Sequence, residues 1–159
     1  MKPHGADERE LHPNPHPDLH LRLNGVREAV EPARLAVLKF LEPAALPARV
    51  VYRIELVLEE LLLNVALHGG PAPAEGHIVD LTVSLEDERV LVCLSAEGLP
   101  FDPRPAAAGV PAPSLENATP GGLGLMLVRR ATVALDYERR DDRNVLRLAF
   151  DRERNAHQD

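Results

Sequence analysis

EELLLNVALHGG, residues 59–70, places three polar side chains at four-residue intervals inside a leucine-rich segment. At 3.6 residues per turn, Glu60, Asn64 and His68 fall on one face of a helix. The apolar positions of the same segment form an amphipathic stripe, made of Val50, Ile54, Val57, Leu58, Leu61 and Val65. The polar stripe is therefore either the solvated face of this helix or a set of residues that carries chemistry.

The rest of the chain supplies predicted strands and helices around this segment. Alternating or continuous apolar patterns predict strands, apolar residues at helical spacing predict helices, and glycine and proline mark the ends. In chain order the predicted elements are a strand at 19–23, a helix at 31–43, a helix from Pro47 to Gly69–Gly70, strands at 78–86 and 89–97, a helix at 123–135 and a closing hairpin at 134–150. This order predicts a two-layer α/β (α+β) sandwich, with helices on one face of a mostly antiparallel sheet.

Two details of these elements are predicted more closely. In the helix at 31–43 the leucines with helical spacing are Leu35, Leu38 and Leu41. The closing hairpin is predicted to turn at Asp141–Asp142, with Leu146, Leu148 and Phe150 on one face of its second strand.

Composition limits the class of protein. The 159 residues are 45% hydrophobic and carry a formal charge of −7, which predicts one domain and argues against nucleic acid or an anionic membrane as partner. No apolar run is long enough to span a bilayer, and the N-terminus lacks the pattern of a signal peptide. We therefore expect a cytoplasmic protein, with a disordered polar tail at 1–17, a folded domain at 18–151 and a second tail at 152–159.

A second segment with a chemical signature is EGLPFDP, residues 97–103, which follows the predicted strand at 89–97. Gly98 allows the backbone to turn sharply or to approach a ligand closely. Asp102–Pro103 favours a turn. Taken alone, this segment is equally typical of an ordinary loop.

The third segment is TPGGLGLMLVRR, residues 119–130, at the start of a predicted helix. Its glycines leave backbone N–H groups unobstructed at a helix N-terminus, which suits phosphate binding. The pattern is neither a P-loop nor a dinucleotide fingerprint. Because a long proline-rich segment precedes it, we interpret that segment as a lid over a ligand site.

The three segments together predict a nucleotide site. Asn64 can offer an amide oxygen to Mg²⁺, which prefers oxygen ligands. Glu60, one turn earlier, can accept a proton from a hydroxyl group or from water. The glycine-rich helix start would hold phosphates.

The order of these segments resembles the GHKL (histidine kinase-like) ATPase superfamily, which includes gyrase, heat-shock chaperone, histidine kinase and mismatch-repair ATPases. ELVLEELLLNVALHG resembles its N box, EGLPFDP its first glycine box and GGLGLMLVRR its second. The PFDP ending, the short length and the closing YERRDDRNVLRL resemble a narrower group, the stand-alone anti-sigma-factor serine/threonine kinases. The resemblance covers about residues 18–151 and implies the Bergerat-type ATP-binding fold.

The resemblance also implies roles for individual residues. Glu60 matches the catalytic base, and Asn64 matches the ligand of the Mg²⁺ that bridges the ATP phosphates. The segment 103–120 matches the ATP lid. The remaining positions that match ATP-binding residues are His68, Gly98, Thr119, Gly121, Gly122, Leu123, Gly124 and Leu125. Such kinases are homodimers that phosphorylate a serine of an antagonist (anti-anti-sigma) protein and bind a sigma factor.

One position departs from the family pattern. The family has an aspartate two residues before the glycine of the first glycine box, where it accepts a hydrogen bond from the adenine amino group. Here that residue is Ala96, and the adjacent Glu97 should point to the opposite face of the strand. Three readings stay open: an ATP-dependent kinase, a partner-binding regulatory module with weak or lost ATP binding, and a detached histidine-kinase ATPase domain.

Overall fold

The computed structural model describes residues 18–70, 76–107 and 122–153. Its strands and helices follow the predicted order, with one additional short helix, α3. The elements are β1 (Leu19–Gly25), α1 (Val30–Leu41), α2 (Ala48–His68), β2 (His77–Leu85), β3 (Arg89–Glu97), α3 (Arg104–Ala107), α4 (Gly122–Ala131), β4 (Ala134–Arg140) and β5 (Arg143–Asp151).

The five strands form one sheet in the order β1-β2-β3-β5-β4, and every neighbouring pair is antiparallel. Alternate residues of each strand face the helices, because side chains of a strand point to opposite faces in turn. On β2, Val79, Leu81 and Val83 are buried, while Asp80 and Thr82 between them are only partly covered. The predicted two-layer sandwich is confirmed.

The core lies between α2 and the inner face of the sheet. Ile54 and Val57 of α2 are fully buried, and they belong to one cluster with Leu94 of β3 and Phe150 of β5. Because the chain holds few aromatic residues, this cluster is built almost entirely from leucine, valine and alanine. Burial of aliphatic side chains on this scale is the main force that holds α2 on the sheet.

Helix α1 is rotated relative to the face that its leucines predict. Its buried residues are Ala33, Val37 and Leu41, whereas Leu35 is 52% exposed, so the prediction was wrong for that leucine. Ala33, Val37 and Leu41 are themselves at helical spacing, and they define the buried face. Arg34 links α1 to α2, because it donates hydrogen bonds to Glu55 of α2 and to Glu31, one turn back on α1.

The β4–β5 hairpin turns at Asp141 and Asp142, as predicted. Both residues have positive φ angles, 49° and 61°. Two such residues in succession are typical of the type I′ turn, whose twist matches that of paired strands, and aspartate tolerates this conformation better than most residues. The turn fixes the register of β4 and β5, in which Arg139 lies opposite Asn144.

Several predictions fall outside the described residues, or largely so. The tail predicted at 1–17, the lid beyond residue 107 and the end of the tail predicted at 152–159 are not described. Within the described part of the chain, the start of the predicted lid forms α3. None of the described helices is long and apolar enough to cross a membrane.

Two leucine-to-alanine substitutions test this packing. Leu58 on α2 is 1% exposed, so its truncation should lower the free energy of unfolding by about 2–5 kcal/mol, because a cavity remains in the core. The same substitution at the exposed Leu35 should change it by less than about 1 kcal/mol. Urea unfolding of both variants measures the difference, and equal effects would contradict the assignment of the buried faces.

Candidate functional site

The polar stripe of α2 does not lie on a solvated face. Asn64 is buried, with 7% of its surface exposed. Glu60 and His68 are half-buried, whereas Glu59, the neighbour of Glu60 in the sequence, is open to solvent. Asn64 and His68 border the same pocket. The solvated-face interpretation is therefore wrong for Asn64.

This pocket lies between the second half of α2, the ends of β3 and β5, and the segment after β3. The space between these elements is about 400 Å³ when the open solvent at its mouth is included. Most of its lining is apolar, from Leu61, Val65, Leu94, Ala96, Leu99, Phe101 and Leu146. Its polar side chains are Asn64, His68, Glu97 and Asn144. An apolar slot with a few polar groups can bind a planar ring and orient it.

Asn64 has an unused hydrogen-bonding group in this pocket. Within the described part of the chain, its Nδ2 is buried and has no hydrogen-bond partner. Leaving such a group unsatisfied costs roughly 1–3 kcal/mol, and native proteins therefore rarely keep one without a reason. A ligand that entered the pocket could pair with this amide, so the orphaned group identifies Asn64 as a candidate binding residue.

Asn144 is a second buried amide, which the sequence analysis missed. Its Oδ1 accepts hydrogen bonds from the Phe101 backbone N–H at 2.9 Å and from the Tyr137 hydroxyl at 2.8 Å. Its Nδ2 donates to the Leu99 carbonyl at 2.8 Å. These bonds tie the segment after β3, which lines the pocket, to the two strands β5 and β4. A signal was present, because Asn144 lies in phase with the inward-facing Leu146 and is a polar residue at a core position.

Gly98 is required by the packing of β3 against the end of α2. Its φ angle is +133°, and a Cβ placed on it would come within 2.8 Å of the Gly69 carbonyl oxygen. The next residue, Leu99, donates its backbone N–H to the same carbonyl at 3.0 Å. Gly98 therefore shapes the rim of the pocket through the backbone. Its predicted approach to adenine stays a prediction.

Ala96 forms part of the pocket wall and is 1% exposed. The neighbouring Glu97 also borders the pocket, but its carboxylate accepts the Ile78 backbone N–H at 3.2 Å and lies 3.5 Å from Arg143. Arg143 also pairs with Asp80, at 2.7 Å, on the outer face of the sheet. As the alternation of the strand predicts, Glu97 does not replace the missing carboxylate at the pocket wall.

Glu60 connects the stripe to the glycine-rich helix start. Gly124, in the first turn of α4, is packed so closely on Glu60 that a Cβ would collide with its carboxylate. The first turn of a helix carries partial positive charge, which favours an anionic group at this place. The structure thus brings Glu60 and Gly124 together, two residues 64 positions apart that were predicted to serve one site.

The remaining predicted residues are distributed as follows. Gly122 and Leu123 begin α4, while Thr119 and Gly121 lie outside the described residues. Leu125 is 3% exposed and belongs to the core, so its side chain cannot contact a phosphate and only its backbone could. The phosphate-binding role of these residues stays a prediction.

The start of the predicted lid is fixed by a local ion pair. Asp102 accepts the backbone N–H of Arg104 at 3.0 Å and pairs with its guanidinium at 2.8 Å. The hydrogen bonds from Arg104 hold the pKa of Asp102 below its usual range. The same guanidinium lies over the ring of Tyr137, 5.6 Å from its centre. Tyr137 thus supports both the lid start and Asn144.

The family of the chain is established by comparison with known proteins. The profile of the histidine kinase-like ATPase domain matches residues 25–150, which is most of the chain. The chain therefore belongs to the histidine kinase-like ATPase family, and the match confirms the resemblance drawn from the three motifs.

Two relatives place the chain within this family. It is 35% identical to the serine/threonine-protein kinase BtrW of Bordetella bronchiseptica over 101 residues, which are 64% of this chain and 70% of that protein. The crystal structure of the RsbU and RsbW domains of Rv1364c from Mycobacterium tuberculosis aligns with 84% of this chain, with a TM-score of 0.60 and 15% identity. The alignment spans 32% of that longer chain, and at this identity it shows a shared fold.

Two glycine-to-alanine substitutions should have different effects on stability. At Gly98 the new Cβ meets backbone and the φ angle is strained, so we expect the free energy of unfolding to fall by roughly 2 kcal/mol or more. At Gly124 the Cβ meets only the end of the Glu60 side chain, which can rotate away, and alanine favours the helix by about 1 kcal/mol. Urea unfolding compares them; a larger loss at Gly124 would contradict this account of the two contacts.

Proposed function

We propose that this chain is an ATP-dependent serine/threonine protein kinase of the anti-sigma-factor type, which phosphorylates a serine of an antagonist protein and sequesters a sigma factor. The observation that carries the proposal is the buried, unpartnered amide of Asn64 in an apolar pocket. The name of the 35% identical relative, a serine/threonine-protein kinase, and the RsbW domain in the aligned structure support the same class.

The pocket fits a nucleotide. The apolar wall of Leu94, Ala96 and Leu146 can pack against a base, while Asn64 at the helical side can reach the polar part of the ligand. Asn64 would also hold Mg²⁺ through its amide oxygen. Mg²⁺ keeps several waters and is bound largely by phosphates in kinase sites, where it neutralises phosphate charge.

We propose Glu60 as the general base. Its carboxylate lies at the positive end of α4, where the helix start would receive phosphate groups. In the proposed reaction Glu60 accepts the proton of the serine hydroxyl while the serine oxygen bonds to the γ-phosphorus and ADP leaves with the electron pair of the broken bond. Gly121–Leu125 would donate backbone N–H groups to the phosphates, with His68 and Thr119 beside them, and residues 103–120 would close over the nucleotide.

The cellular part of the proposal rests on the same relatives. We propose that the chain acts in the cytoplasm as a homodimer, with a sigma factor and an anti-anti-sigma antagonist as partners. Residues 18–151 would form the kinase domain between two polar tails. The acidic charge of −7 agrees with protein partners rather than nucleic acid.

A second function is favoured by one observation, the methyl group of Ala96 at the pocket wall. A pocket that has lost an acceptor for the base can bind ATP weakly or not at all. The chain would then be a regulatory module that binds its partner proteins without phosphoryl transfer. Retention of Glu60, Asn64 and the glycine-rich helix start argues for the kinase.

Asn64→Ala tests the nucleotide site directly. We expect the native chain to bind Mg-ATP and the variant to lose roughly tenfold or more in affinity, the loss typical of one strong polar contact. Its free energy of unfolding should not fall, because the substitution removes an amide that has an unsatisfied donor.

Isothermal titration and urea unfolding give the two readouts. Asn24→Ala, an exposed asparagine on β1, is the matched control and should leave binding unchanged. If the native chain releases no heat with Mg-ATP while Ala96→Asp binds, the kinase proposal is wrong and the partner-binding module stands.

Glu60→Gln tests the proposed base. Slow hydrolysis of Mg-ATP, followed as phosphate release, gives a readout that needs no partner protein, and we expect a fall of roughly a hundredfold or more with little change in affinity. Glu59→Gln changes the exposed neighbour in the same way and should keep the native rate. Equal rates in the two variants would show that Glu60 is not the base.

A further inference from the structure

We infer that this pocket does not select the 6-amino group of adenine, and that it binds 6-oxo purine nucleotides at least as tightly as ATP. The inference rests on the proposed nucleotide-binding function and names the ligand class of the same site. It depends on which hydrogen-bonding groups the sheet side of the pocket still has available.

The sheet side of the pocket is formed by Leu94, Ala96, Asn144 and Leu146, contributed by β3 and β5. Asn144 is the polar side chain among these four residues, and it lies directly opposite Ala96 in the strand register. An edge of a base that faces this wall therefore meets either hydrocarbon or the Asn144 amide.

The Asn144 amide has no acceptor left to offer. Its Oδ1 already accepts two hydrogen bonds, from Phe101 and Tyr137, which uses both lone pairs. Its Nδ2 donates one hydrogen to Leu99 and keeps one. What Asn144 can add to a ligand is thus a donor.

The other polar groups of the pocket do not alter this. The carboxylate of Glu97 is engaged by Ile78 and Arg143 on the outer face of the sheet. Asn64 belongs to α2, on the helical side of the pocket, and its Nδ2 is a buried donor with no partner among the described residues. His68 stands on α2 one turn beyond Asn64, on the helical side of the pocket, and not on the sheet wall.

Adenine and hypoxanthine differ in the group at position 6, which such a wall would contact. Adenine carries an amino group at position 6, which donates, whereas hypoxanthine and guanine carry a carbonyl oxygen there, which accepts. A wall with a carboxylate acceptor would favour the amino group, and a hydrogen bond to a charged acceptor is worth roughly tenfold or more in affinity. A wall with a methyl group and one donor gives no preference for the amino group, and its donor can pair with the carbonyl oxygen instead.

The test compares Mg-ATP with Mg-ITP, whose base is hypoxanthine, by isothermal titration of the full chain. We expect the native protein to bind Mg-ITP at least as tightly as Mg-ATP, since the wall offers a donor and no acceptor to position 6. Ala96→Asp should shift the ratio of the two dissociation constants toward ATP by roughly tenfold or more, because it adds the missing acceptor. Ala96→Val, which adds bulk without an acceptor, should leave the ratio unchanged.

A carboxylate at position 96 has no cation beside it among the described residues of this wall and can prevent folding. A second variant therefore places the carboxylate at position 144, where the Phe101 N–H and the Tyr137 hydroxyl would donate to it. Asn144→Asp has nearly the same shape and replaces the Nδ2 donor by an acceptor, with loss of the hydrogen bond to the Leu99 carbonyl, and it too should move the ratio toward ATP. Circular dichroism and urea unfolding show whether each variant is folded.

The outcomes separate this inference from the proposed function. Native binding of ATP at least tenfold tighter than ITP would overturn the inference and leave the kinase proposal intact. Native binding of neither nucleotide would overturn the proposed function, and this inference with it. Equal native binding with no change of ratio in folded Ala96→Asp and Asn144→Asp variants would show that this wall does not face position 6.

Discussion

The packing of α2 against the sheet determines the position of every pocket residue that the helical layer supplies. Its buried residues continue along one face, and Asn64 follows Val57 and Leu61 on that face at helical spacing. Asn64 is therefore at a core position, at the place where the strands end and the core opens into the pocket. Aliphatic burial along the whole helix compensates for the cost of one unsatisfied amide at its end.

Two buried asparagines illustrate how the fold separates scaffold from binding site. Asn144 uses three of its four hydrogen-bonding positions on neighbouring groups, and it fastens the segment from Leu99 to Phe101 as the rim of the pocket. Asn64 has a buried donor with no partner within the described residues. The first arrangement makes the pocket rigid, and the second leaves a group free to bind. A rigid rim reduces the ordering cost that a ligand would otherwise incur on binding.

The sequence was sufficient for the architecture because each element carries a clear local signal. The alternating pattern of β2 predicts a strand, Gly69 predicts the end of a helix, and the two aspartates of the last turn predict a hairpin. The face of α1 was predicted from its leucines, whereas the structure buries Ala33, Val37 and Leu41, which lie at helical spacing too. Asn144 was overlooked since its partners lie 7 to 45 positions away, although its phase in β5 was visible. Gly98 was identified correctly as a special backbone position, yet its close neighbour is Gly69, a contact that only the fold creates.

The site is divided between elements in a way that separates recognition from chemistry. The wall that is proposed to face a base belongs to β3 and β5, where Ala96 is almost completely buried. The proposed base, Glu60, belongs to α2 and meets α4 at Gly124. A carboxylate at position 96 would lose its hydration, and a positively charged or hydrogen-bonding partner would have to offset that cost. Among the described side chains that line the pocket, none supplies a cation at this wall when no ligand is bound. Alanine at this position therefore favours the stability of the empty protein, and it changes what the pocket can recognise without moving the groups that would transfer a proton.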